Sequence, residues 1–249
     1  VNMLEAVRLS ARPCSVVVVT TDKCYENKEW PHSYREEDPM GGHDPYSSSK
    51  GAAELVVSAY RRSFFPPETH VGLASARAGN VIGGGDWAMD RIVPDSIRAL
   101  QQSAAVPVRN KVATRPWQHV LEPLSGYLQL AAALHGTLGF SLSPEKYATG
   151  FNFGPALASN RTVLELVQEV LKFWDGDWVD RSDPNAPHEA GKLNLATDKA
   201  FHLLGWQPRW DFSRTVEKTV VWYQASVGLQ SPAAFQALTR SQIDEYSQT

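Results

Sequence analysis

Cysteine is nearly absent from this 249-residue chain. Cys14 and Cys24 are the only two, and they form no CxxC pair. A disulfide framework is therefore not expected, and a reducing compartment such as the cytoplasm fits. The seven histidines and the two cysteines show no zinc-type spacing, so no metal is expected. No apolar run is long enough to span a bilayer, and no signal peptide opens the sequence, so a membrane is not an expected partner. Positive charge is not in excess either. The net charge is −3 and the isoelectric point about 6.2, which gives no reason to expect nucleic acid. An anionic ligand would need a local cluster of Arg, Lys and backbone N–H groups. There is no internal repeat and no low-complexity block. An initial methionine is also lacking. The first residue is Val1, and residues 1–11 already read as helix, so the sequence is expected to be part of a longer chain.

What is present is an ordinary globular balance of 43% apolar and 20% charged residues. The length suits one large α/β domain, or a large and a small one sharing a core. Met3, Leu4 and Val7 lie at helical spacing, and Pro13 ends that helix. Ser15 to Thr20 is a β-branched run without polar alternation, so both its faces are expected to be covered, as in a parallel sheet between helices. A Pro- and Gly-rich loop over 22–45 follows. Helical spacing then runs from Tyr46 to Phe65, with Tyr46, Lys50, Ala53 and Val57 on one stripe and Leu55, Val56, Ala59 and Tyr60 widening the buried surface. His70–Ser75 reads as strand and Arg77–Asp86 as a glycine-rich turn. Further helices are predicted over 91–102, 121–134, 162–174, 197–204 and 212–227. Short strands are predicted over 106–109, 117–120 and 151–153.

Strands alternating with helices predict an α/β fold, a doubly wound parallel (Rossmann-type) sheet with a smaller α/β substrate-binding lobe. Residues 1–83, with 116–154 returning, are assigned to the sheet domain. Residues 84–115 and 155–228, more irregular and richer in Trp and Pro, are assigned to the lobe, and 229–249 to a polar tail.

Ligands of open parallel sheets sit beyond the carboxyl ends of the strands. Thr21, Asp22 and Lys23 occupy such an end. Tyr46 and Lys50, four apart, stand on one helix face. A tyrosine titrates near about 10, and a neighbouring ammonium favours its phenolate, so the pair is a plausible general base for a hydroxyl proton. Taken singly these are weak signals. Most Tyr-x-x-x-Lys pairs are a half-buried Tyr and a solvated Lys, and Thr-Asp after a strand is usually a turn or a helix cap. In this order, beside a buried strand, they point to one shared pocket.

The stretches Thr20-Thr21-Asp22-Lys23-Cys24-Tyr25 and Asp44-Pro45-Tyr46-Ser47-Ser48-Ser49-Lys50 resemble the extended short-chain dehydrogenase/reductase superfamily, within it the nucleotide-sugar 4,6-dehydratases. Arg77 to Trp87, Arg115 to Pro123, Asn152-Phe153-Gly154 and Leu204-Gly205-Trp206 also match, and the likeness runs from Val1 to about Tyr223. The Asp22-Lys23 pair and the Gly-Gly-Gly-Asp-Trp turn narrow it to the CDP-sugar branch. The resemblance implies NAD as a catalytic cofactor touched by Thr20, Tyr46 and Lys50, and CDP-glucose as substrate. It implies that Tyr46 removes the 4-hydroxyl proton while hydride leaves C4, that Thr21 hydrogen-bonds that hydroxyl, and that Asp22, protonated, is the general acid for loss of the 6-hydroxyl. Related dTDP-sugar dehydratases carry a Glu at the position of Lys23 as C5 base. Asn80 and Arg115 match residues that hold the diphosphate, Arg91 and Arg109 being weaker candidates. Trp87 and Trp117 are candidates for the nucleotide pocket, with packing the commoner role, and His119 reads as a satisfied core histidine. The likeness further implies a homodimer paired through helices 1–11 and 46–65, and a place in deoxysugar supply for lipopolysaccharide.

The chain departs from the family in one respect. The G-x-x-G-x-x-G dinucleotide turn and the acidic residue after the second strand are absent. The glycines at 83–85 come after the catalytic helix and do not replace them. The first strands of the family's sheet are therefore expected to be missing from this sequence, leaving strand 16–20 unpaired on one flank. The alternatives are a nucleotide-sugar 4-epimerase, another NDP-sugar dehydratase or, if the NAD-binding half is truly lacking, an inactive sugar-nucleotide-binding protein.

Overall fold

A computed structural model describes residues 1–136, 139–183 and 192–249. Residues 184–191, inside the lobe assigned to 155–228, lie outside the described residues. In chain order the elements are α1 (Asn2–Ser10), β1 (Cys14–Val19), α2 (Pro45–Phe64), β2 (Val71–Ala78), β3 (Val81–Ile82), α3 (Ile92–Gln101), β4 (Val106–Val108), β5 (Thr114–Pro116), β6 (Gln118–His119), α4 (Leu121–His135), β7 (Gly150–Phe153), β8 (Asn160–Thr162), α5 (Val163–Phe173), β9 (Trp178–Asp180), α6 (Asp198–Leu204), α7 (Phe212–Ser226) and α8 (Pro232–Ser247). They fall into two units, one of residues 1–79, 123–154 and 193–207, the other of residues 80–122, 155–192 and 208–249.

The first unit is built on a parallel sheet in the order β1-β2-β7. β2 is its centre. Leu73, Ala74, Ser75 and Ala76 are wholly buried, and the small side chains let helices close on the sheet. At Gly72 a Cβ would stand 3.0 Å from Leu134 of α4, and at Gly126 only 2.3 Å from the Phe153 ring, so α4 seats on the sheet through glycine. The Leu204-Gly205-Trp206 stretch is a helix stop. Gly205 takes φ 68° at the end of α6, and Trp206 turns inward, edge-on to Phe153 at 5.0 Å, its indole N–H donating to Ser125 at 3.0 Å.

β1 is packed on both faces as expected: Val16 and Val18 join the cluster of Leu4, Val57 and Leu73, and Val17 turns to that of Ala74, Ala76 and Leu130. Among the described residues it pairs with β2 alone, the unpaired flank expected for strand 16–20, and Val19 is 54% exposed. One expectation needs correction here. Arg77 and Ala78, assigned to a turn, continue β2, and Val81–Ile82 form a further strand.

Among the described residues the second unit holds three two-stranded pairs, β3·β6 and β4·β9 parallel and β5·β8 antiparallel. Its core gathers Ile97 of α3, Val106 and Val108 of β4, Leu166 and Val167 of α5, and Val220 and Tyr223 of α7, all wholly buried. A capping box starts α5: the Thr162 hydroxyl accepts from the Glu165 N–H, and the Glu165 carboxylate accepts from the Thr162 N–H. The expected polar tail is instead the 16-residue helix α8. Ser231 caps it, and Pro232 opens it. Phe235 and Leu238 pack on the core while Gln242 and Tyr246 are buried. Phe235, Leu238 and Tyr246, with Gln242 between them, give a narrow inward stripe that the helix's polar composition hides.

Tyr246 also closes a buried polar cluster. The carboxylate of Glu122, wholly buried, accepts from the backbone N–H groups of Arg209 (3.1 Å) and Trp210 (2.7 Å) and from the Tyr246 hydroxyl (2.7 Å). Burial nonetheless holds its carboxyl above the ordinary value. Tyr246→Phe removes one donor to this group and should destabilise the protein by about 1.5–3 kcal/mol. Urea unfolding checks this, and in a Glu122→Gln background the effect of Tyr246→Phe should be smaller.

Candidate active site

The site in the first unit begins where β1 ends. The Thr20 N–H still pairs with the Ala76 carbonyl at 2.8 Å. The chain then turns through a short 3-10 segment, Asp22–Cys24, with Thr21 as its cap. Asp22 is 2% exposed. Its two oxygens are held by its neighbours, Oδ1 by the Thr21 hydroxyl at 2.9 Å and Oδ2 by the Lys23 ammonium at 3.4 Å. Lys23 is thus neither wholly solvated nor unpaired, and a third of its side chain reaches solvent.

Helix α2 brings the other half. Asp44 caps it by accepting from the Ser47 N–H (3.0 Å) and hydroxyl (2.5 Å), and Pro45 supplies the first turn's fixed φ. The Ser47 hydroxyl and N–H hold the Asp44 carboxyl below its ordinary value, and the Lys23 ammonium adds a smaller pull the same way. The charge of the Asp22–Cys24 turn is therefore felt at the start of the helix. Tyr46 is 56% exposed, and Lys50 sits with its Nζ 5.4 Å from the centre of the Tyr46 ring. α2 packs on the Asp22–Cys24 turn at Gly51, where a Cβ would stand 2.9 Å from the Gly41 carbonyl oxygen and 3.3 Å from that of Cys24. The Gly41 N–H also donates to the Cys24 carbonyl at 2.9 Å. The structure thus gathers Thr21, Asp22 and Lys23 in one turn, with Tyr46 and Lys50 on the helix that packs against it.

The buried face of α2 is not the expected one. Ser47, Gly51, Glu54 and Val57 are buried, while Leu55 is 62% exposed and Ala59 is exposed. Glu54, one turn past Lys50, was missed by sequence reasoning, although it continues the 46, 50 spacing. Its carboxylate accepts from the Thr20 hydroxyl, from Ser75 Oγ (2.7 Å) and from Arg77 Nη2 (2.9 Å). Arg77 donates in turn to the Tyr25 hydroxyl (2.7 Å) and the Glu36 carbonyl (3.0 Å), and Tyr25 donates to Asn152 Oδ1 (2.7 Å).

The residues assigned to the substrate's diphosphate lie in the second unit. The Asn80 carbonyl accepts from the Gln118 N–H at 3.2 Å. Arg115, half-buried in β5, donates to the Thr114 carbonyl at 2.9 Å and stands opposite Arg161 of β8. Arg91 and Arg109 are exposed and already paired with Asp86 (3.3 Å) and Asp90 (2.7 Å). Trp117 is a packing residue, 4% exposed, with its N–H on the Arg161 carbonyl at 3.0 Å. Trp87 is half-exposed and edge-on to Tyr223. At Gly84 a Cβ would stand 2.0 Å from the Trp222 indole, so this glycine serves packing and not a dinucleotide cradle. Of the residues that the resemblance assigns to NAD, Tyr46 and Lys50 carry donors side by side on α2. The Thr20 hydroxyl spends its proton on Glu54 and keeps only acceptor capacity.

Residues 1–219 match the family model described as GDP-mannose 4,6 dehydratase. The chain belongs to this family. Among curated members of the wider group, the CDP-glucose 4,6-dehydratase of Salmonella typhimurium is 49% identical over 231 residues, covering 90% of this chain and 62% of that protein. A dTDP-glucose 4,6-dehydratase of Streptomyces venezuelae, crystallised with NAD, superposes with TM-score 0.73 at 21% identity, over 95% of this chain and 66% of that one. The UDP-glucuronic acid 4-epimerase of Bacillus cereus, in complex with UDP-glucuronic acid and NAD, gives 0.73 at 16% identity, over 89% and 65%. The chain spans about two thirds or less of the relatives it matches. The Rossmann-type α/β fold of this dehydratase family is thereby shown.

His119 of this family member is buried, 1% exposed, edge-on to Trp210 at 4.8 Å. Its Nδ1 accepts from the Leu121 N–H at 3.3 Å, but Nε2 has no hydrogen-bond partner among the described residues, so it is only half satisfied. Burial, helped by the Lys218 ammonium, pushes its pKa down to about 4. The unfolded chain takes up this proton first, near about 6.5. His119 therefore contributes stability in full above that pH, and loses it as pH falls toward 4, by about 3 kcal/mol at most. In His119→Asn the dependence of the urea midpoint on pH should flatten across that window. Gly51→Ala should push α2 off the Asp22–Cys24 turn and destabilise the protein by about 1–3 kcal/mol. An unchanged melting temperature would show that the contact yields freely.

Proposed function

We propose that this chain carries the catalytic part of an NAD-dependent CDP-glucose 4,6-dehydratase, a hydro-lyase giving CDP-4-keto-6-deoxyglucose. The observation that carries the reading is the buried carboxyl of Asp22, held between Thr21 and Lys23 at the end of β1, in a turn against which the helix of Tyr46 and Lys50 packs. The 49% identity with the Salmonella protein points to the same substrate.

In this reading Tyr46, with the Lys50 ammonium beside its ring, accepts the proton of the sugar's 4-hydroxyl. The chemistry that NAD would supply when bound is a hydride taken from C4, which makes a 4-ketone accessible, and returned at C6 after water is lost, C5 regaining its proton, so that there is no net redox change. The ketone acidifies the C5–H, since the resulting carbanion is an enolate. Asp22 then delivers a proton to the departing 6-hydroxyl, and Thr21 orients that carboxyl. Lys23 is a candidate for the C5 base only in its neutral form, once its ion pair with Asp22 is given up. Tyr46 and Lys50 would hold the cofactor's end nearest the sugar. Arg115 is the favoured diphosphate ligand, as a forked donor, with Asn80 beside it in the assignment. Arg91 and Arg109 remain the weaker candidates of the resemblance. A homodimer paired through 1–11 and 46–65, cytoplasmic and feeding lipopolysaccharide deoxysugars, completes the proposal.

A second reading is a nucleotide-sugar 4-epimerase, favoured by the equal TM-score of the Bacillus enzyme. An epimerase uses Tyr46 and Lys50 but has no task for an acid at Asp22. The test is incubation of the full-length protein with CDP-glucose and NAD, followed by mass spectrometry. A product lighter by one water supports the dehydratase, and an unchanged mass with inverted C4 supports the epimerase. Tyr46→Phe and Asp22→Asn should each lower the dehydration rate by about 10²–10⁴-fold. Full dehydration by Asp22→Asn would remove that residue from the mechanism.

A further inference from the structure

The Glu54 carboxylate is 4% exposed and touches no group assigned to substrate or cofactor except Thr20. Three donors from two adjacent strands meet on it: Thr20 just past β1, and Ser75 and Arg77 on β2. Burial pushes its carboxyl up, but Arg77, Thr20 and Ser75 outweigh this and hold it below its ordinary value. Glu54 is thus the charged partner of a buried Arg77, whose side chain is 6% exposed.

The network grips the catalytic turn from both sides. Thr20, immediately before Thr21–Asp22–Lys23, donates to Glu54. Tyr25, immediately after Cys24, accepts from Arg77 and is pinned to Asn152 of β7. Glu54 itself is on α2, one turn from Lys50 and two from Tyr46. One ion pair therefore ties the helix that bears Tyr46 and Lys50 to both ends of the turn that bears Asp22. Buried ion pairs seldom add net stability over apolar residues of the same shape, so stability alone does not call for a carboxylate and a guanidinium here. Direction does: the forked guanidinium and the two-oxygen acceptor fix α2 in rotation and in translation against the strand ends.

We propose that Glu54, with Arg77, is the positioning pair of this active site, setting the helix of Tyr46 and Lys50 against the turn of Asp22. The inference rests on the dehydratase reading for its kinetic consequence, but not for its structural one. Misplacing reacting groups by about 1 Å costs about 10²-fold in rate. That sets the expected loss in kcat for Glu54→Gln, with KM for CDP-glucose nearly unchanged. Ser75→Ala, which keeps the ion pair but removes one of its supports, should show a smaller loss of the same kind. The double variant Glu54→Gln/Arg77→Met removes the stranded charge and should regain thermal stability without regaining kcat, whereas a merely structural pair would regain both together.

The decisive measurement pairs these kinetics with amide hydrogen exchange on the wild type, Glu54→Gln and Ser75→Ala. Protection should fall together at residues 21–25 and 44–50, while β7 and α4 keep theirs. Unchanged protection at either stretch, or a double variant whose turnover returns with its stability, overturns the proposal. If protection falls as expected but the full-length wild type does not turn over CDP-glucose, the dehydratase reading fails and the positioning pair stands.

Discussion

Helix α2 meets the Asp22–Cys24 turn through backbone, and the surrounding side chains are chosen by that closeness. A helix reaches another backbone only where no Cβ intervenes, and Gly51 is that place, within van der Waals reach of the Gly41 and Cys24 carbonyls. The approach leaves no room for a large apolar side chain on this face. Ser47 and Gly51 occupy its first turns, and Glu54 follows. The bulky apolar contacts come only further along, where Val57 joins Leu4, Phe65 and Leu73. The helix therefore has a polar, tightly fitted half at the site and an oily half that holds it to the sheet. The two halves do different jobs.

That division explains the buried charge. Once the face near the site must be small and polar, the polar ends of β1, β2 and β7 beside it need partners, because unpaired buried groups are costly. Glu54 and Arg77 satisfy several at once: Thr20, Ser75, Tyr25 and the Glu36 carbonyl. Asn152 extends the chain, taking the Tyr25 hydroxyl on its side-chain oxygen and giving its amide to the Tyr34 carbonyl, while its N–H meets the Glu36 carboxylate. The loop between the turn and α2 is long, and it is held by this network and by the small apolar cluster of Cys24, Tyr25, Tyr34, Leu193 and Leu195. Order in that loop is thus a consequence of polar satisfaction at the strand ends as much as of burial.

The order of strands and helices was legible because hydrophobic period and proline placement are local signals. α2, α5, α6 and α7 fell within a residue or two of where spacing and capping put them. The turn at Thr21–Lys23 and the pair Tyr46–Lys50 were legible through motif. What could not be read was anything decided by long-range partners. Glu54 looks like a solvated helix residue until Arg77, more than twenty positions later, is seen beside it. Leu55 looks buried by spacing, yet the helix rolls to put Gly51 against backbone and turns Leu55 outward. α8 looked like tail because its inward residues include Gln242 and Tyr246, whose partners, Lys218 and Glu122, lie far off in sequence. β1, by contrast, was legible from its β-branched run: Val16 and Val18 pack in one cluster and Val17 in the other, on the two faces of the sheet.

The position of Asp22 follows from two levels of encoding, and they differ in robustness. Its own orientation is local: Thr21 and Lys23, its immediate neighbours, hold its two oxygens, and Thr21 also caps the turn. These contacts survive any movement of the turn as a body. The relation of that turn to Tyr46 is not local. It depends on Gly51 for distance and on the Glu54–Arg77 pair for direction, and a change at either leaves Asp22 correctly held in its turn but wrongly aimed. The contact at 3.4 Å from Lys23 is longer than the usual charge-assisted bond of about 2.7–2.9 Å, so the lysine restrains the carboxyl less tightly than the Thr21 hydroxyl does. The proposed acid role of Asp22 requires one oxygen to carry a proton, and both oxygens accept hydrogen bonds here. The firm Thr21 contact then sets the carboxyl plane, and the looser Lys23 contact is the one to be given up.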